Sequence, residues 1–112
     1  MMYETAIILR PDHTEGALDE VKSTLSAVIT ENGGEVMLED DWGMKTFAWP
    51  IKKGLTRGHY LYFIYKTGPK ANLELERRFN ISEDVVRTLI VKLGPEAKMK
   101  DKVKEYTSPF QA

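Results

Sequence analysis

The chain has 112 residues, 42% of them hydrophobic and 29% charged, with a formal net charge of −1, a composition typical of one globular domain with a single core. It contains no cysteine, which excludes disulfides, thiolate metal sites and cysteine nucleophiles. Because it has neither a signal-peptide pattern nor an apolar run near the ~20 residues of a membrane-spanning helix, we expect a protein of the reducing cytoplasm with no membrane partner.

The first third of the chain predicts a strand followed by a helix. Residues 3–9 form the strand, and their nearly continuous apolar run is typical of a strand covered on both faces. Thr14 or Asp12 is predicted to cap the helix, which ends before Gly33 because glycine readily adopts the left-handed conformation. The apolar stripe of this helix consists of Leu18, Val21, Leu25, Val28 and Ile29.

The middle of the chain predicts two strands joined by a hairpin. Residues 35–51 form a long strand, in which Gly43 marks a bulge and Pro50 indicates a position at the sheet edge. Residues 52–58 form the hairpin loop. Residues 59–66 form a strand with apolar and aromatic residues on both faces, which predicts a central position in the sheet.

The last part of the chain predicts a helix, a strand and a tail. The helix begins at Gly68 and ends at Asn80, and residues 85–93 form the strand. The polar, lysine-rich residues 94–112 are predicted to form a flexible C-terminal tail, so that residues 1–93 are the folded domain.

The order β-α-β-β-α-β predicts an α+β, ferredoxin-like fold. Two right-handed crossovers place both helices on one face of a four-stranded antiparallel sheet. The spatial order of the strands is then fourth, first, third, second. The basic hairpin between the second and third strands therefore lies at one edge of the sheet.

Side-chain alternation predicts that the sheet face without helices is also apolar, since the first, third and last strands carry apolar residues on both sides. An exposed patch of this kind usually marks a protein partner. The alternative is that the C-terminal tail folds back over it. The residues predicted for a partner-protein interface are Ile8, Tyr60, Tyr62, Leu89 and Val91.

The charges are distributed unevenly along the chain. The first 41 residues hold ten acidic and two basic residues, whereas residues 42–73 contain no Asp or Glu. Basic and aromatic side chains are interleaved in that window, which suits a phosphate-bearing polymer. The alternative is a strand pair with core aromatic residues and solvated lysines. The basic residues of the window are Lys45, Lys52, Lys53, Arg57, Lys66 and Lys70.

The sequence predicts no catalytic residue, no metal site and no cofactor. The two histidines, His13 and His59, adjoin turn-forming residues, and neither has a second histidine at a metal-ligand spacing. Asp12 beside His13 could imitate an acid–base pair, but a helix-capping turn is the simpler interpretation. A phosphatase on this fold would need a glycine-rich loop after the first strand, which residues 10–14 lack.

Several short motifs follow one another in a specific order between residues 3 and 93. They are Tyr3-Glu4, Ile7-Ile8-Leu9-x-Pro11, Gly33-Gly34-x-Val36, Trp42-Gly43-Met44-Lys45, Phe47-Ala48-Trp49-Pro50-Ile51-Lys52-Lys53, Gly58-x-Tyr60 and Val86-Arg87-x-Leu89-Ile90-Val91-Lys92. Together they resemble the family of the sixth protein of the bacterial small ribosomal subunit. The fold predicted from the residues agrees with the fold that this resemblance implies.

The resemblance implies a structural role in the ribosome. Members of that family bind the central domain of 16S ribosomal RNA as a heterodimer with the eighteenth small-subunit protein, so the isolated chain is expected to be a monomer. Thr46 and Trp49 depart from the family pattern, which affects the RNA contacts expected at these single positions but not the implied role. The residues predicted to bind RNA are Lys45, Trp49, Lys52, Lys53, Arg57, Arg87 and Lys92.

Two other binding functions share the predicted fold. An RNA-recognition motif would need a basic residue, a glycine, an aromatic, a small residue and an aromatic in the third strand, and residues 57–61 do not match it beyond Gly58. A small-molecule regulatory domain would form symmetric homo-oligomers through the same sheet face. The oligomeric state of the isolated chain distinguishes this last alternative from the ribosomal role.

Overall fold

The computed structural model of the chain describes residues 1–46, 56–95 and 106. The elements are β1 (Met2–Leu9), α1 (Glu15–Glu31), β2 (Glu35–Thr46), β3 (Arg57–Lys66), α2 (Pro69–Asn80) and β4 (Val85–Gly94). The four strands form one antiparallel sheet in the order β2-β3-β1-β4, which confirms the predicted ferredoxin-like topology. Neither helix is long and apolar enough to cross a membrane.

The ends of α1 follow the predicted signals. The side chain of Thr14 accepts a hydrogen bond from the backbone N–H of Ala17 at 3.2 Å, which caps the first turn. At the other end Asn32 is the C-cap, and Gly33 has a φ of 76°, which an L side chain adopts only with strain. The helix therefore begins and ends where the cap residues allow it.

The main core lies between the two helices and one face of the sheet. Fully buried residues of the central strands β1 and β3 pack against the apolar stripes of the helices, including Leu25 of α1 and Leu75 of α2. Tyr65 is buried in this layer, and its hydroxyl bonds Thr5 Oγ1 and Asn72 Oδ1, each at 2.7 Å. Burial raises the pKa of Tyr65 to about 12.

The second strand has two register shifts, of which one was predicted. The register shifts between Asp41 and Gly43, as predicted, and also between Val36 and Leu38, which was not predicted. Gly43 has a φ of 76°, so the bulge uses a conformation that glycine adopts readily.

The hairpin is shorter at its third-strand end than predicted. Arg57 and Gly58 belong to β3, paired with Thr46 and Lys45, because the ladder continues two residues beyond the aromatic run. The prediction of strand and hairpin over residues 47–55 lies outside the described residues.

Two leucines of α2 provide a test of the core. Leu75 is fully buried, whereas Leu73 is 68% exposed on the same helix. We expect Leu75→Ala to lower the free energy of unfolding by about 2–5 kcal/mol, because it removes buried methyl groups and leaves a cavity. Leu73→Ala should change it by no more than about 0.5 kcal/mol. Urea denaturation of both variants measures the difference, and equal losses would contradict this account of the core.

Candidate functional site

Cross-strand pairing shows which residues share the sheet face that the helices leave uncovered. Gly43, Tyr60, Ile8 and Arg87 form one row across β2, β3, β1 and β4. Directly paired residues in antiparallel strands point to the same side, so this row and every second row from it belong to the open face. The predicted division of the strands into two faces is confirmed.

The open face is less exposed than the sequence predicted. Leu89 and Val91 on the edge strand β4 are 40% and 50% exposed, and Tyr60 is half-buried. Ile8 and Tyr62, however, are only 1% and 7% exposed, so the expectation that they belong to an exposed patch is wrong. The burial of Tyr62 has a local cause that lies on the open face itself.

An aromatic cluster of Trp42, Tyr60, Tyr62 and Tyr106 covers part of this face. The Trp42 and Tyr62 rings stack with centroids 4.7 Å apart and an interplanar angle of 12°. On Tyr62 the ring of Tyr106 stacks at 5.4 Å and 14°, while Trp42 also stacks with Tyr60 at 6.5 Å. Stacked rings of this kind exclude water from the strand beneath, which explains why Tyr62 is buried.

Hydrogen bonds hold the aromatic cluster to the sheet. The indole N–H of Trp42 donates to Asp40 Oδ2 at 3.1 Å and to the Tyr106 hydroxyl at 2.9 Å. The Tyr106 hydroxyl in turn donates to Asp40 Oδ2 at 2.8 Å. The Tyr62 hydroxyl donates to Glu4, and its burial together with this bond raises its pKa. Asp40 and Glu4, two carboxylates of the open face, thus have donors from the cluster.

Tyr106 comes from the predicted tail. The alternative interpretation, in which the tail folds over the open face, predicts this position. It holds for this one residue. The remaining residues of the predicted tail, 96–105 and 107–112, lie outside the described part of the chain.

The predicted RNA-binding residues are only partly brought together. Lys45 pairs with Gly58 on the open face, and the exposed Arg87 lies on the same face, at the same end of the sheet. Arg57 is at this end but pairs with Thr46, which turns it to the helix-covered face. Trp49, Lys52 and Lys53 lie outside the described residues.

Lys92 does not join this group. It pairs with Tyr3, so it lies on the helix-covered side, whereas Arg87 pairs with Ile8 on the open side. Five residues along β4 also separate the two by about 17 Å, which places them towards opposite ends of the strand. The continuous positive surface expected from the acid-free window is further interrupted at Lys66, whose ammonium lies 3.3 Å from Glu35 Oε2.

The electrostatics of the open face centre on Tyr60 and Arg87. Burial raises the pKa of the Tyr60 hydroxyl, and the nearby Arg87 cation acts in the opposite direction. A cation beside a partly buried aromatic residue can bind either a phosphate group or a protein partner. Sequence reasoning missed Trp42 as cover for this face, and it offered the tail, from which Tyr106 comes, only as an alternative.

Comparison with known proteins gives one consistent family. The family model described as Ribosomal protein S6 matches residues 2–92. The small ribosomal subunit protein bS6 of Rhodospirillum centenum is 38% identical over 92 residues, which are 82% of this chain and 56% of that relative. The bS6 protein of Nitratiruptor sp. is 43% identical over 91 residues (80% and 70%), and that of Moorella thermoacetica 38% over 95 residues (85% and 96%).

A solved structure has the same fold. The crystal structure of 30S ribosomal protein S6 from Thermotoga maritima matches with a TM-score of 0.77 over 93% of this chain and 97% of that one. Its sequence identity to this chain is 21%, so the likeness concerns the fold.

Tyr106 provides a test of the aromatic cluster. In a Trp49→Phe background Trp42 is the only tryptophan, and its fluorescence then reports on the cluster. Tyr106→Ala should shift the emission of Trp42 to the red, increase its quenching by acrylamide, and cost about 1 kcal/mol of stability from the lost stacking. Tyr106→Phe keeps the ring and should retain most of the protection. Unchanged quenching in Tyr106→Ala would show that Tyr106 does not cover Trp42.

Proposed function

Since this chain belongs to the ribosomal protein S6 family, we propose that it binds the central domain of 16S ribosomal RNA as a heterodimer with the eighteenth small-subunit protein. Its role in the small ribosomal subunit is structural rather than enzymatic, and its place is the cytoplasmic ribosome. The isolated chain is proposed to be a monomer.

The observation that carries the partner proposal is the exposed edge of the open face. Leu89 and Val91 lie side by side on β4, two residues apart and pointing to the same side, and β4 is an edge strand of the sheet that the described residues form. Apolar side chains grouped in this way are a docking surface rather than scattered exposure. The aromatic cluster lies on the same face, so Tyr60 and Tyr62 extend this surface once Tyr106 is displaced, and Ile8 pairs with Tyr60 in the neighbouring strand.

The RNA proposal rests on cations at one end of the sheet. Lys45, Arg57 and Arg87 are placed there by β2, β3 and β4. Trp49, Lys52 and Lys53 belong to the segment that connects β2 and β3, which starts and returns at this end. Basic side chains at a strand connection suit contact with phosphates, which fix position on RNA without reading sequence. Lys92 is proposed as a separate contact.

The net charge argues for binding as a pair. The chain carries ten acidic residues in its first 41, so its own approach to a polyanion is opposed over much of its surface. A basic partner on the open face would supply further cations and bury Leu89 and Val91. We therefore propose a coupling between partner binding and RNA binding of about 1–3 kcal/mol.

A salt titration tests the hairpin cations. Replacing Lys52, Lys53 and Arg57 together by Ala should reduce the slope of log K against log salt by about 2–3, if each neutralises one phosphate. The matched control replaces Lys70, Arg77 and Arg78, which removes the same charge from helix α2 instead of from the strand connection. The control should leave the slope nearly unchanged. An equal reduction in both variants would show that net charge, not the hairpin, determines binding.

A second pair of variants tests the open face. Leu89→Asp should weaken binding to the eighteenth small-subunit protein, because it places a charge at an apolar contact, and RNA affinity should fall only as a consequence. Leu73→Asp, with 68% of Leu73 exposed on α2, is the control and should bind normally. RNA affinity is measured for each variant with and without the partner. If the chain alone binds RNA as tightly as the pair does, the proposed coupling is wrong.

A further inference from the structure

Two histidines that are 46 residues apart in sequence meet on the helix-covered side of the sheet. His13 lies in the turn between β1 and α1, and His59 lies in β3. Nε2 of His13 is 3.1 Å from Nδ1 of His59, the ring centroids are 4.8 Å apart, and the ring planes make an angle of 71°. The sequence analysis predicted no histidine site because it considered only neighbouring positions.

The outer nitrogen of each ring faces an acceptor. Nε2 of His59 lies 2.6 Å from Asp41 Oδ1, and Nδ1 of His13 lies 3.0 Å from the backbone carbonyl oxygen of Thr14. An ionised carboxylate and a carbonyl oxygen accept hydrogen bonds and do not donate them. Each ring must therefore carry a hydrogen on its outer nitrogen to make these contacts.

The hydrogens on the two rings then determine what lies between them. A neutral imidazole has only one N–H, and each of the two rings uses its N–H in the contact with its outer acceptor. The two facing nitrogens, His13 Nε2 and His59 Nδ1, therefore present lone pairs to each other at 3.1 Å. Two acceptors at this distance repel unless a positive charge lies between them, either an additional proton or a metal ion.

We propose that His13 Nε2 and His59 Nδ1 bind a divalent transition-metal ion of the Zn²⁺, Ni²⁺ or Cu²⁺ class. Histidines that bind metals donate their other ring N–H to a carboxylate or a backbone carbonyl, and this pair has one of each. Imidazole nitrogen is a preferred ligand of these ions, whereas Mg²⁺ and Ca²⁺ prefer oxygen ligands.

The distances fit such an ion. With metal–nitrogen bonds of about 2.1 Å and near-tetrahedral or octahedral angles, two ligand nitrogens lie roughly 3.0–3.4 Å apart. The observed 3.1 Å falls within this range. In the described part of the chain no group of three or more His, Asp and Glu side chains could hold a metal, so water fills the other positions and the site is an exchangeable one. The side chain of His59 is 14% exposed, which leaves it accessible.

Metal binding to the untagged full chain tests the proposal. After removal of metals by a chelator, titration with Zn²⁺ and Ni²⁺ should show one saturable site, and Mg²⁺ should show none. His13→Gln and His59→Gln should each weaken the affinity at least tenfold, and Asp41→Asn by about 10–100-fold through the loss of its bond to His59. Asp12→Asn is the matched control, because Asp12 adjoins His13 but pairs with Arg10 at 3.3 Å.

Nitrogen NMR of the histidine rings provides a readout that folding does not affect. On adding Zn²⁺ the resonances of His13 Nε2 and His59 Nδ1 should shift, while the outer nitrogens keep their hydrogens. Circular dichroism shows whether each variant is folded, and the NMR result on the unmodified chain stands without the variants. A shared proton that persists between the rings in excess Zn²⁺, or an affinity unaffected by His13→Gln, would overturn the proposal.

Discussion

The structure depends on one constraint: the sheet is apolar on both faces, and the two helices cover only one of them. Met2, Ile8 and Ile64 lie on the face without helices, yet each is at most 1% exposed. If these side chains were exposed, the folded state would lose about 25 cal/mol of stability for each Å² of apolar surface returned to water. The chain therefore has to cover this face with its own side chains, and the aromatic cluster provides much of that cover over β2 and β3.

The cover is incomplete on the side of β4. Rings from β2 and from Tyr106 stack over β3, but Leu89 and Val91 remain exposed at the other edge. The position of Tyr106 also has a cost for any partner that extends over the whole face. Displacing it removes one donor from the half-buried Asp40, although the indole N–H of Trp42 still donates to this carboxylate. A partner that offers Asp40 a hydrogen-bond donor at this place would replace the lost bond.

Local patterns in the sequence predicted the elements, and strand alternation predicted which residues share a face, because both depend on backbone geometry alone. The contacts that the sequence could not predict join distant segments. Tyr106 bonds to Asp40 across 66 residues, and the rings of His13 and His59 meet across 46. Burial of Ile8 and Tyr62 was misjudged for the same reason, since their exposure depends on what other segments place over them. The position of Lys92, in contrast, follows from the sequence, because alternation along β4 places Lys92 and Arg87 on opposite faces.

The bulge in β2 determines which face Lys45 occupies. An extra residue in a strand reverses the alternation beyond it, so Gly43, not Trp42, stands opposite Tyr60. Lys45 is thereby turned to the same face as Arg87, the face over which Trp42 stacks. Without the bulge Lys45 would point to the helix-covered side. The left-handed conformation of Gly43 thus contributes to the position of a proposed RNA contact.

Asp41 holds this bulge in place and extends its influence to the histidine pair. Its Oδ1 accepts the backbone N–H of Gly43 at 2.8 Å and also lies 2.6 Å from His59 Nε2. Burial alone would raise the pKa of Asp41, but these two hydrogen bonds hold it below its ordinary value, so the carboxylate stays ionised. The same carboxylate that fixes the bulge therefore orients His59 towards His13. The register of β2, the position of Lys45 and the geometry of the histidine pair are consequently properties of one local structure.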